Sequence, residues 1–174
     1  MLTTVDQLML SLLSALGRDA VTADIGSLAS HRIDGLTPRL VVTPESAEQI
    51  GAALRICSEA KATVIPWGGG TALAIGNPPR QADVVIKLAK LDRMIEHDSA
   101  NLTASAQCGM TLNTMQSALE AQKQFVPIDA PFPGRATIGG TVAASLNGPR
   151  RSSHGGVRDL VIGMKVILAN GESI

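Results

Sequence analysis

The stretch TVIPWGGGT, Thr63 to Thr71, is the segment on which the fold turns. A β-branched run stops at Pro66, and three adjacent glycines follow, closed by a hydroxyl residue with no helix signal behind them. Consecutive glycines discard side chains so that bare backbone can approach a partner, and successive free N–H groups can form a nest for an anion. The segment therefore reads as a diphosphate site, with an ordinary turn as the alternative for a glycine cluster standing alone. A second glycine-dense stretch, ATIGGTVAASLNGPRRSSHGGVR from Ala136 to Arg158, carries five glycines and weighs against the plain turn. Two such regions imply one extended ligand.

Working outward, Leu40 to Thr43 reads as a strand. Thr43, Pro44 and Glu45 then supply a cap, a favoured first helical residue and a first-turn acid. The helix expected from Pro44 to Ala60 buries Ala47, Ile50, Leu54 and Cys57, and the chain returns through Lys61 and Ala62 to a strand at Thr63–Ile65, completing a β-α-β unit. Beyond the glycines, Asn77, Pro78 and Pro79 forbid a helix, and Val84 to Leu88 makes a further strand. A dinucleotide fold would place GxGxxG at a helix start and a P-loop would follow its glycines with GK[ST]; neither pattern occurs.

From Arg93 the pattern becomes strand, turn, strand: Arg93–His97, a break at Ser99–Asn101, then Leu102–Gln107. Gly109 and Thr111 open a helix with Leu112, Met115 and Leu119 on one side, and Phe125–Pro127 is extended. Val161 to Ala169 reads as an apolar strand ending at Asn170-Gly171, the strongest short hairpin signal. Its return strand would start at Glu172, close to the last residue, so a buried strand would lack most of its partner and the domain is expected to continue beyond Ile174 or be completed by another chain. At the amino terminus Val5, Leu8, Leu12 and Leu16 recur at helical spacing, with Thr4 to cap and Gly17 to end the helix.

The 174 residues, 45% of them hydrophobic, suffice for a substantial core. Fifteen basic and fifteen acidic residues cancel, and aromatics are limited to two phenylalanines and one tryptophan. Nucleic-acid binding, which wants a basic face and stacking platforms, is excluded on both counts. The longest apolar run, Leu160–Ala169, is short and interrupted by Lys165, against a membrane span. The first residues carry Asp6 and no basic leader, against a signal peptide. Cys57 and Cys108 lie far apart without CxxC or histidine-rich context, and no carboxylate spacing suggests a metal, so a reducing cytoplasm is expected.

Three ordered segments, PWGGGT, ATIGGTVAAS and GGVRDLVIGMKVILANG, resemble successive signatures of the FAD-binding domain of the vanillyl-alcohol oxidase and p-cresol methylhydroxylase superfamily. The resemblance runs from about Val41 to the carboxyl end. It is strongest to the FAD-binding E subunit of bacterial glycolate oxidase, with the D subunit and D-lactate dehydrogenases next. It implies an α+β, two-lobed domain: a lead-in at residues 1–40, a small β-α-β lobe at 41–98, and a mostly antiparallel lobe at 99–174, incomplete at its end.

FAD is the implied cofactor. The pyrophosphate loop carries over to Pro66, Trp67, Gly68, Gly69, Gly70, Thr71 and Ala72. A second flavin-contacting segment matches Asp129, Thr137, Ile138, Gly139, Gly140 and Ala143, and a third matches Gly155, Val157, Arg158, Asp159 and Ile162. Thr71 stands where some members carry the histidine that attaches flavin covalently, so the resemblance implies non-covalent FAD. It also implies hydride transfer from a 2-hydroxy acid to the flavin, other oxidase subunits as partners, and peripheral association with the inner membrane through them. A non-catalytic relay or assembly subunit is the alternative, and a UDP-N-acetylenolpyruvoylglucosamine reductase or molybdenum hydroxylase lobe is a third reading. No catalytic residue is assigned. Arg150, Arg151, His154 and Arg158 are the cations available to a reduced flavin ring, or else form a solvated basic loop, and Arg158 could pair with Asp159. His31 and His97 read as structural. Trp67 either packs beneath the loop or flanks the cofactor.

Overall fold

The computed structural model describes residues 4–174. They form two compact units that alternate along the chain: the first comprises residues up to Trp67, Gly76–Lys90 and Lys165–Ile174, the second Gly68–Ile75 and Leu91–Met164.

The first unit opens with α1 (Thr4–Leu16), whose Leu8, Leu12 and Leu16 are buried at the expected spacing. The capping role expected of Thr4 rests on a side chain outside the described residues. Gly17 ends the helix at φ 90°, a conformation cheap only for glycine, and its amide donates to the Leu13 carbonyl at 3.0 Å. A 3₁₀ turn leads to β1 (Val21–Thr22) and then to α2 (Ile25–Ser30), which Asp24 caps by accepting from the Ser27 amide. Next come β2 (Leu40–Val42), α3 (Ala47–Glu59), β3 (Val64–Trp67) and β4 (Val84–Lys87). The sheet order is β1-β2-β4-β3, with only β1 antiparallel. β2 and β3 are therefore not neighbours, because β4 lies between them with Val84 in register with both Leu40 and Val64. Leu40, Val42, Val84 and Ile86 join Leu12, Ala53 and Cys57 in one core. Each such leucine, valine or isoleucine contributes roughly 1.5–3 kcal/mol by leaving water.

Helix α3 begins three residues later than the Pro44 start that its Thr-Pro-Glu sequence suggests. Ser46, not Thr43, is the cap: its hydroxyl accepts from the Gln49 amide, while Gln49 Oε1 accepts from the Glu45 amide at 2.8 Å. The reciprocal Ser and Gln bonds satisfy two backbone donors and outcompete the earlier start. Gly51, inside α3, faces the turn at Gly171: a Cβ on Gly171 would lie 2.3 Å from the Gly51 carbonyl oxygen, and Arg55 Nη1 donates to the Gly171 carbonyl at 3.0 Å.

That turn belongs to a hairpin shorter than expected. Val166 and Ile174 exchange amide–carbonyl bonds at 2.9 Å, Leu168 donates to Glu172, and Asn170-Gly171 forms the bend. The Asn-Gly signal thus holds, but a strand over Val161–Ala169 does not. Among the described residues, 161–165 donate no backbone hydrogen bond, and Ile162 and Met164 are 85% and 63% exposed rather than buried. The bend fixes pairing only for the residues next to it.

Asp83, just before β4, ties three strand starts together. Its carboxylate accepts from the Thr63 amide at 2.9 Å and from Gln81 Nε2 at 2.6 Å, lies 3.4 Å from Arg39 Nε, and its carbonyl accepts from the Arg39 and Leu40 amides. Burial, reinforced by the Asp83 charge, pushes the Cys57 thiol up to about 11, and burial also raises Cys108. The thiolate is the reactive form. Neither cysteine is therefore expected to react with a disulfide reagent in the native protein near neutral pH, while both should react after unfolding; rapid native labelling of Cys57 would contradict its packing.

The second unit carries the antiparallel pair β5 (Met94–Asp98) and β6 (Thr103–Ala106), with a register shift between Met94 and Glu96. Asp98 accepts from the Ala100 and Asn101 amides to shape the turn. Helix α4 (Leu112–Glu120) is capped by Thr111, which accepts from the Thr114 amide, and Leu112 packs with Ala130 and Ala136. Three short helices follow: α5 (Ile138–Ala144), α6 (Arg151–His154) and α7 (Val157–Leu160).

Candidate functional site

The glycine loop enters the second unit directly after β3. A Cβ on Gly68 would sit 2.3 Å from Thr137 Oγ1, and one on Gly69 only 1.7 Å from the Arg135 carbonyl oxygen. Arg135 Nη2 donates in return to the Gly69 carbonyl at 3.3 Å. The first two glycines are thus required by the protein's own chain, Gly68 by the Thr137 side chain and Gly69 by the backbone of Arg135 and Ala136. Gly70 takes φ 66°, the left-handed region. Within this half-buried loop the amides of Gly68, Gly69, Gly70, Thr71 and Ala72 donate to no acceptor among the described residues. Partly buried backbone donors normally find partners, so an uninterrupted run of free ones suits an anion.

The second glycine patch meets the first, yet it offers its donors elsewhere. Thr137 caps α5 by accepting from the Gly140 amide at 3.2 Å, and the Ile138 and Gly139 amides donate at 2.8 Å to the carbonyls of Met110 and Cys108. Gly139 is needed because a Cβ there would lie 2.8 Å from that of Cys108. The expectation that both patches present bare amides is corrected accordingly: the loop presents them, and Thr137–Gly140 form the shelf it rests on. One turn further along α5, Thr141 is 1% exposed and its hydroxyl has no hydrogen-bond partner among the described residues. Residues four apart share a helix face, so this orphaned hydroxyl lies on the same side as Thr137. Sequence reasoning passed over Thr141, and only its position four after the cap could have flagged it.

The remaining residues implied by the resemblance are held by local bonds. Asp129 accepts from the Arg150 amide at 3.1 Å, its other oxygen lies 3.4 Å from Arg150 Nε, and Gly148 is glycine because a Cβ would strike the Asp129 side chain. Asn147 Oδ1 accepts from the Val157 amide, and Asp159 accepts from the Gly156 amide, both at 2.7 Å. Asp159 is thus engaged with backbone, and no ion pair to Arg158 forms among the described residues. Gly155 takes φ +83° against Asp159, Val157 is buried, and Ala143, Arg158 and Ile162 are exposed. Pro66 and Trp67 end β3 in the first unit, where Trp67 meets the His31 ring edge-on at 4.9 Å. His31 is itself buried and bonded to the Ser27 carbonyl, and His97 bonds Gln124 at 2.8 Å, both as structural residues. His154 is exposed beside Phe125.

A glycine loop seated on a capped helix, with five amides that donate to nothing among the described residues, offers a run of donors to an anion. The chain belongs to the FAD-binding domain family, whose model matches residues 38–174. It is 36% identical to glycolate oxidase subunit GlcD of Bacillus subtilis over 137 residues and 34% identical to a D-lactate dehydrogenase of Anaerostipes hadrus over 139 residues. Each alignment covers 79% of this chain and 29% of the relative, so the chain spans under a third of the length of these curated relatives. Among solved structures, an alkyldihydroxyacetonephosphate synthase superposes with TM-score 0.85 at 18% identity, covering 97% of this chain and 37% of that one. p-Cresol methylhydroxylase with substrate bound gives 0.80 at 22%, covering 98% and 35%. The mixed α+β fold is thus that of the p-cresol methylhydroxylase-type FAD-binding domain, and its cofactor is FAD.

Proposed function

We propose that this chain is the flavin-holding part of an FAD-dependent oxidoreductase that oxidises a small 2-hydroxy acid, as a glycolate oxidase subunit of the E or D kind. The observation that carries the reading is the run of free amides from Gly68 to Ala72, pressed against Thr137 by glycines that admit no side chain. Hydrogen bonds to a charged acceptor contribute roughly 1.5–3 kcal/mol each, so these donors can hold a diphosphate in a chain of zero net charge without a lysine. The hydroxyl of Thr71 closes the loop, and that of Thr141 is a buried donor still to be satisfied. Bound FAD supplies a two-electron acceptor for the hydride lost from the α-carbon of the hydroxy acid. What this chain's own residues do is bind and orient: the loop fixes the diphosphate, the Asp129–Arg150 pair braces the segment from Gly148 onward, and Thr137 fixes the shelf.

Thr71 offers no ring nitrogen to carbon-link a flavin, so the cofactor is held non-covalently. Acid precipitation should release all of the yellow chromophore into the supernatant; a flavin that stays with the pellet would overturn this point. Activity is tested by loading the chain with FAD and adding glycolate or D-lactate without oxygen. Bleaching supports a substrate-competent enzyme. Bleaching only after a partner subunit is added favours the second reading, a relay or assembly subunit, which the small share of the relatives covered keeps in play.

A further inference from the structure

The second unit contains a cavity of about 400 Å³ lined by no residue of the glycine loop or of α5; of the four cations available to a flavin ring, Arg150 alone lines it. That volume falls within the roughly 300–1,000 Å³ of small-molecule sites. Its walls are apolar, from Leu112 on α4 and from Val126 and Ile128 on the extended segment that follows. Its polar lining carries no negative charge. Asn113, Gln116 and Arg150 each bring N–H donors, and no carboxylate lines the cavity. Gln116 spends its carbonyl oxygen on the Val126 amide at 3.2 Å, which leaves its NH₂ as a donor.

Arg150, its side chain 51% exposed, is oriented by two contacts. Its Nε lies 3.4 Å from Asp129, and its guanidinium carbon stands 5.4 Å from the centre of the Phe125 ring. Its two Nη groups donate to nothing among the described residues. A guanidinium held at one edge and over one face keeps its outer fork free, the geometry that grips a planar carboxylate with two parallel bonds. Because Asp129 already offsets part of the charge, the site suits a monoanion better than a phosphate dianion.

We propose that this cavity binds an amphipathic monocarboxylate, with a hydrocarbon tail against Leu112, Val126 and Ile128 and its headgroup on Arg150. The apolar walls separate it from any site for glycolate or lactate, which have almost no tail. The assignment takes Arg150 for this cavity rather than for the flavin ring and leaves the glycine-loop reading untouched.

The test uses isotope-labelled protein, with and without FAD, titrated with octanoate while amide shifts are followed by nuclear magnetic resonance. Saturable shifts are expected at Val126 and at the Asn113 and Gln116 side chains, unchanged by FAD. Octanol, the same tail without charge, should bind about tenfold or more weakly, the worth of one charge-assisted bond. Arg150→Met should erase that difference, and Val126→Trp, which fills the space, should abolish both titrations. Equal binding of octanoate and octanol to the unaltered chain, shifts centred elsewhere, or undiminished binding by Val126→Trp would each overturn the proposal. The octanoate–octanol comparison needs no variant and decides even where a substitution unfolds the chain.

Discussion

Protein carrying Gly69→Ala is expected to lose its flavin and to be destabilised by roughly 3 kcal/mol or more, at the upper end of overpacking costs. The added carbon would lie 1.7 Å from the Arg135 carbonyl oxygen and 2.5 Å from its carbon. Both are backbone atoms that no rotamer change can move, so the loop must lift off its shelf and carry its amides away from the diphosphate. Gly134→Ala is the matched control, since a Cβ there meets nothing within 4 Å and its backbone is outside the left-handed region. The checks are protein-bound flavin absorbance, a thermal melt, and far-ultraviolet dichroism at low temperature to establish that the variant is folded. A Gly69→Ala protein that keeps a full complement of flavin at the parent melting temperature would dismantle the loop assignment.

Asp83→Ala should cost about 3 kcal/mol, because it strips a buried hub and leaves the Thr63 amide and Arg39 without their acceptor. Burial alone would raise the Asp83 carboxyl, but hydrogen bonds from Gln81 and Thr63 and the Arg39 charge outweigh it and hold the group below the ordinary aspartate range. A depressed folded value means that the folded state favours the ionised form. The contribution to stability is therefore complete above the unfolded value of about 4 and is lost as pH falls through it toward the folded value. Urea midpoints measured down that acid limb should fall for the parent and fall less steeply for Asp83→Ala. Parallel limbs would show that other carboxylates, such as the exposed Glu45 and the half-buried Asp98, carry the acid sensitivity instead.

The elements written in residue type and spacing were legible before any coordinates. Leu8, Leu12 and Leu16 mark α1, the β-branched run at Val84–Ile86 marks β4, and Thr111 marks the start of α4. What escaped depends on partners distant in sequence. Nothing local says that β4 inserts between β2 and β3, since that order is settled by which strands are buried on both faces. Helix α5 was hidden because two glycines, an isoleucine, a threonine and a valine make a poor helix by propensity; its cap and its bonds to Met110 and Cys108 hold it. The glycine loop was half read. Bare backbone approach was the right physics at Gly68 and Gly69, but the surface approached is the chain itself, and the loop amides donate to nothing among the described residues.

The two units exchange the chain four times, after Trp67, Ile75, Lys90 and Met164. No single proteolytic cut can release either one, and a nick in the exposed Ile75–Pro78 stretch should leave fragments that co-migrate until denatured. Gene dissection faces the same obstacle. Any clone ending before Lys165 withdraws the hairpin that clasps Gly51, so splitting the reading frame between the units yields two broken halves rather than two minimal modules.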